Sequence, residues 1–159
     1  MKSFIAFTLI LFLIFSCNSQ KINSGAEPKT DVKPIVHNND ELLGKWILEY
    51  MSPVNGKEVK ELFKIQKPYL NFVDETKVAG NNGCNNIAGE YSSSEGNVIQ
   101  FKADNFISTR MFCQGIDESA FINVLKTINR YEVIDEGNKL VLLTGDIVSM
   151  SFLKSEDRK

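Results

Sequence analysis

The sequence predicts an α+β domain: an antiparallel, barrel-like sheet of about eight strands packed around one α-helix. Three observations predict it. Short apolar runs with two-residue alternation recur from Asp40 onward. Clusters of Asp, Asn, Gly and Glu separate these runs at short, even intervals. A single segment switches to a helical period. At 159 residues the chain has room for one such domain and little more.

The first strand is expected over residues 45–51, with Trp46, Leu48 and Tyr50 on one face and Lys45 and Glu49 on the other. Asn55-Gly56 then gives a hairpin-turn signal. Further strands are expected at 69–73, 77–79, 87–92, 98–102, 106–109, 131–134, 139–144 and 147–153. Turn residues lie between them, among them Asn81-Asn82-Gly83 and Gly145-Asp146. The helix is expected over 118–129, where Ala120, Phe121, Val124, Leu125 and Ile128 form one apolar stripe. Asp117 can cap it, Glu118 suits its positive end, and Lys126 and Arg130 suit the other. The stripe should lie against the sheet, leaving Asn123, Lys126 and Thr127 outside.

The N-terminus reads differently. After Met1-Lys2-Ser3, residues 4–15 form an apolar run. As a helix this run would span roughly 18 Å, short of the ~30 Å hydrocarbon core of a bilayer. It therefore fits a cleavable signal peptide over residues 1–16 rather than a spanning helix. Ile14-Phe15-Ser16-Cys17 resembles a bacterial lipobox, although Phe15 is bulkier than the usual residue there. That resemblance implies a diacylglycerol on the Cys17 sulfur, cleavage before Cys17, and acylation of the new amine by a palmitate-like chain. Residues 17–39 contain Pro28, Pro34, Gly25, several Asn and Ser, and no aromatic side chain. They are expected to form a flexible tether with a root-mean-square reach of roughly 25 Å. His37, the only histidine, lies in the tether.

The expected location is the cell envelope, with the protein lipid-anchored at the outer membrane and facing the periplasm, since Asn18 is not the Asp of inner-membrane retention. The expected partners are the membrane, through the anchor, and an unknown envelope protein or apolar ligand. The net charge of −2 gives no basic surplus for nucleic acid.

Three segments together resemble the META domain (HslJ-like) family: Leu43-Gly44-Lys45-Trp46, the stretch from Gly80 through Cys84-Asn85 to Gly89 and Tyr91, and Ser108–Cys113. Their order and spacing run through nearly all of residues 42–153, within a domain placed at 40–155. The resemblance implies an antiparallel sheet wrapped around a helix, an extracytoplasmic location, and links to stress response and envelope maintenance. It implies no catalytic residue. Phe112 departs from the small residue usual before the second cysteine.

On physical grounds Gly80, Gly83 and Gly89 mark places of positive φ or close backbone approach. Asn81, Asn82, Asn85 and Asn86 can bond the backbone locally. The motif is thus read as a demanding turn between two strands, with a polar rim around a ligand mouth as the alternative. With Cys17 set aside, Cys84 and Cys113 remain, and an exported chain favours pairing them. Two free thiols remain open as an alternative, as does a soft-metal site with Met111.

Most catalytic chemistries find no residues. A Ser-His-Asp or Cys-His arrangement needs an imidazole outside the tether. Neither G-x-x-x-x-G-K-[ST] nor G-x-G-x-x-G occurs. A carboxylate pair for glycoside hydrolysis is open in principle, but the acids cluster in turns. The expectation is therefore a non-catalytic protein without metal or cofactor. It would be either an envelope interaction module or, as the alternative, a binder of an apolar small molecule or lipid between helix and sheet.

Overall fold

Nine strands and two short α-helices make up the domain in the computed structural model, which describes residues 39–156. The expected signal peptide, Cys17 and all but the last tether residue lie outside the described residues. Among the described residues, no helix is long and apolar enough to cross a membrane.

The strands are β1 (Gly44–Met51), β2 (Tyr69–Phe72), β3 (Lys77–Asn81), β4 (Asn86–Ser94), β5 (Val98–Phe101), β6 (Ile107–Ser108), β7 (Arg130–Ile134), β8 (Lys139–Thr144) and β9 (Ile147–Lys154). The helices are α1 (Val59–Leu62) and α2 (Glu118–Leu125). Around the sheet the order is β3-β2-β1-β9-β8-β7-β5-β4, and β3 pairs back onto β4. Eight antiparallel strands therefore close into a barrel, which leaves no open edge among them. The extra strand β6 pairs with β4 through Ile87↔Ser108 and Ala88↔Ile107. Closure is thinnest where β5 meets β7 at the single pair Val98↔Arg130.

Because neighbours alternate in direction, the connections sort onto two ends. Residues 52–68, 82–85, 102–129 and 145–146 connect strands at one end, which carries both helices and β6. The tight turns at 73–76, 95–97 and 135–138 lie at the other, where β1 begins and β9 ends.

Side chains fill the interior. Trp46, Leu48, Leu70, Phe121, Leu125 and Phe152 are each fully buried in one cluster. Two aromatic polar groups of the core are matched: Trp46 Nε1 donates to the Leu42 carbonyl at 2.6 Å, and the Tyr91 hydroxyl donates to the Asp74 carbonyl at 2.8 Å. Phe72 meets Tyr91 edge to face with ring centroids 4.9 Å apart.

Three sequence expectations need correction. Tyr50 does not share the inward face of Trp46 and Leu48: a bulge between Leu48 and Tyr50 shifts the register against β9, so Tyr50 is 43% exposed and Met51 turns inward. The helix ends at Leu125 rather than 129. Lys126 and Thr127 form a turn whose backbone N–H groups bond to Ile122 and Val124, and Ile128 reaches the core from beyond the helix. Helix α1 was not expected; Glu58 and Glu61 close a capping box around it, and Leu62 and Phe63 are buried. Asn55-Gly56 does form a tight turn, with φ of 52° and 75° and a Val54↔Lys57 bridge.

Candidate functional site

The Asn-rich motif occupies the turn joining β3 to β4, at the end of the barrel that carries the long connections. Asn82 holds the turn from within, its Oδ1 accepting the N–H groups of Cys84 at 3.1 Å and Asn85 at 2.7 Å. Asn81 Oδ1 accepts the N–H of Gly83 at 2.8 Å. Gly83 sits at φ +100°, and a Cβ there would lie 2.4 Å from the Phe63 ring. The other two glycines serve close approach: a Cβ on Gly80 would meet the Tyr69 carbonyl oxygen at 2.2 Å, and one on Gly89 the Phe106 ring at 2.0 Å.

Asn85 connects this turn to the rest of the end. It is fully buried, and its Oδ1 accepts from the Thr109 hydroxyl and the Met111 N–H, both at 2.7 Å. Its Nδ2 donates to the Met111 carbonyl at 3.0 Å and to Glu118 Oε2 at 2.6 Å. One amide therefore joins the turn, the 109–111 segment and the first residue of α2. Beside it, Cys84 and Cys113 form a disulfide with Cα atoms 5.9 Å apart, which fits the 4.4–6.8 Å range usual for such bonds. Their sulfurs are thus committed to each other, and the soft-metal alternative with Met111 lacks its thiolates. Among the described residues, no group of three or more His, Cys, Asp or Glu is placed to hold a metal ion.

The motif is therefore a satisfied structural staple rather than a ligand-facing rim. Asn81, Asn82 and Asn85 are buried and each is hydrogen-bonded. What faces solvent is the chain they hold in place. Phe112 is 91% exposed and Met111 55%, immediately before the disulfide. Ile107 on β6 is 73% exposed. Across the turn, beyond Phe63, Ile65 is 65% exposed. Sequence reasoning did not single out Ile65 or Ile107, and treated Phe112 as a packing variation. Its departure from the usual small residue was the available signal.

The helix stripe is core. Phe121 and Leu125 are fully buried, Ile128 nearly so, and Val124 is half-buried, while Asn123, Lys126 and Thr127 face out as expected. Asp117 caps the helix, accepting from the Ser119 N–H and hydroxyl. Two surface grooves, of about 480 and 490 Å³, have no α2 residue in their walls. The first lies between β1 and α1, with Met51 and Phe63 in its wall and Lys60, Lys64 and Lys67 among its polar residues. The second lies over Ala79 and Ala88 on the outside of the β3–β4 hairpin.

Electrostatics at both grooves is ordinary for a surface. Lys139 bonds to Glu49 at 2.8 Å and holds that carboxyl below its usual range. Lys102 does the same for Glu90. In the interior, burial pushes the Tyr91 hydroxyl up to about 12.

The META domain family model matches residues 40–157. The fold is similar to a protein solved by NMR, at 23% identity and a TM-score of 0.52, covering 75% of this chain and 97% of that one. It is also similar to a DUF4847 family protein from Bacteroides vulgatus, at 17% identity and a TM-score of 0.50, covering 71% and 94%. No curated protein matches.

Proposed function

The chain belongs to the META domain family, and from that premise we propose that it is a lipid-anchored, extracytoplasmic member that works by binding rather than catalysis. Its role in this reading is that of an interaction module in envelope maintenance or stress. The observation that carries it is the filled barrel. Trp46, Phe121, Leu125 and Phe152 take the space an internal ligand would need, so binding falls to the outer surface. The disulfide supports an oxidising compartment, in keeping with a lipobox-like sequence ending at Cys17. The alternative of an apolar molecule held between helix and sheet loses support from the same packing.

A photoreactive side chain at position 112, compared with one at position 132 on the outside of β7, tests this in cells. Adducts with an envelope component are expected from position 112 and not from 132. If neither position yields adducts, and the purified protein carries a stoichiometric apolar molecule, the ligand-carrier reading replaces this one.

A further inference from the structure

We propose that the end of the barrel carrying the disulfide docks onto an anionic lipid surface, inserting Ile65, Met111 and Phe112 between the headgroups. This deepens the binding reading above and rests on its placing of function on the outer surface; it does not rest on acylation of Cys17.

Two loops border the β3–β4 turn. One follows α1, where Phe63 abuts Gly83; the other is bonded to the turn through Asn85 and the disulfide. Each presents an apolar tip with cations beside it: Ile65 between Lys64 and Lys67, and Met111-Phe112 directly after Arg110. None of these three cations is in an ion pair among the described residues. The carboxylates of this end have other partners and keep their charge: Glu58 pairs with Lys60, Asp104 with Lys126 and Asp146 with Arg130, while Glu61 accepts the Glu58 N–H, Asp117 caps α2 and Glu118 accepts from Asn85. Lys67 does lie near enough to Glu49 to help lower its pKa. With no carboxylate of the described residues within ion-pair distance of Lys64, Lys67 or Arg110, the charge at the two tips is locally positive, which complements anionic headgroups.

The form of the apolar surface favours a lipid over a protein partner. At 91% exposure Phe112 projects from the surface instead of lining a hollow, whereas protein hot spots pair anchors with well-packed pockets. Single apolar side chains flanked by Lys and Arg are the arrangement of interfacial membrane binding, with apolar groups below the headgroups and cations level with them. Residue 112 is also fixed in advance, because Met111 is held by both its N–H and its carbonyl and Cys113 by its sulfur. Little conformational freedom is then lost on insertion. The chain enters the barrel at the opposite end, where β1 begins. Residues 17–38 at full stretch cover roughly 75 Å, more than the roughly 26 Å of an eight-residue strand such as β1. An anchored chain is long enough to turn this end towards its own membrane.

The test uses the chain from residue 17 with Cys17→Ser, so that neither an acyl group nor the apolar leader contributes. Phe112→Trp is added as a reporter, and the probe is vesicles of phosphatidylcholine with 30 mol% phosphatidylglycerol. Vesicles should shift the emission of the introduced indole to the blue and carry the protein into the pellet, with less of both in high salt or without phosphatidylglycerol. The native Trp46 is fully buried, so the chain without the reporter supplies the unshifted baseline. Lys64→Glu/Lys67→Glu should weaken partitioning well beyond the about fivefold expected for removing one cation. In the chain without the reporter, Met111→Ser/Phe112→Ser should reduce it at least tenfold. All four positions are exposed, and an unchanged thermal midpoint would show that folding is intact. Sedimentation without a blue shift, or with no dependence on residues 111 and 112, overturns insertion. Absence of binding, with protein adducts from position 112 in cells, overturns the lipid proposal and leaves the interaction-module reading standing.

Discussion

Asn85 occupies a position that only its own side chain can fill. Its amide meets two acceptors and two donors on two other segments, 109–111 and the start of α2. Asp would put a charge against Glu118, and Leu would remove all four bonds. Asn85→Ala should therefore cost roughly 2–4 kcal/mol, since stranded buried partners cost more than the bonds themselves contribute. Asn86→Ala, at an exposed position with one side-chain bond to Asn81, should cost less than about 1 kcal/mol. Equal losses in urea denaturation would count against the staple. Tyr91 gives a second residue-scale expectation. Burial raises its pKa to about 12, whereas an unfolded Tyr ionises near 10. The folded state thus favours the neutral phenol. Its contribution is complete below about pH 10 and is lost as pH rises towards 12, because the unfolded chain releases the proton first. Thermal midpoints should fall across that window, and Tyr91→Phe should flatten the fall. Tyr131, also shifted upward by burial, will keep part of it.

At the scale of elements, the strands were legible where alternation survives folding and illegible where the sheet breaks its own period. β8 matches its expected span residue for residue although it does not alternate: Leu140 to Leu143 are all buried, and an unbroken apolar run bounded by Gly137-Asn138 and Gly145 marks a strand as well as alternation does. β1 was misread at Tyr50 because a bulge depends on the partner strand, β9, about a hundred residues away. α1 was missed because four residues carry too little periodicity to register, and its capping box is built from two Glu in a charged stretch. α2 was overextended because Ile128 continues the stripe in sequence while the backbone has already turned. The disulfide operates at this scale too, tying the β3–β4 turn to the segment entering α2. Its 29-residue separation corresponds to roughly 3.6 kcal/mol in the chain-entropy account. Reducing agent should lower the thermal midpoint by several degrees, and Cys84→Ser/Cys113→Ser should start from the lowered value and not respond. An unshifted midpoint for the wild type would mean that the bond is absent in solution or offset by strain.

For the whole molecule, composition and turn spacing foretold a barrel-like sheet, but not the strand order, since pairing β1 with β9 and β5 with β7 joins strands far apart in sequence. Nor did they foretell the exposed end: Phe112 stands out in sequence only as a departure from the usual small residue, and it is held outside by neighbours fixed through Asn85 and the disulfide. The last expectation joins that end to the proposed anchor. Two acyl signals hold a protein on a membrane far more firmly than a cationic-apolar face alone. Salt, in turn, weakens the face and not the acyl chains. Wild-type protein should therefore stay in the membrane fraction through a high-salt wash and take up an alkyne fatty acid. Cys17→Ala should take up no label, and whatever remains with membranes at low salt should be released at high salt. Combining Cys17→Ala with Met111→Ser/Phe112→Ser should abolish the low-salt association as well. A wild-type protein that is unlabelled and whose mature N-terminus is not Cys17 would end the lipoprotein reading. A Cys17→Ala protein that resists the wash would instead move the main membrane attachment to the domain itself.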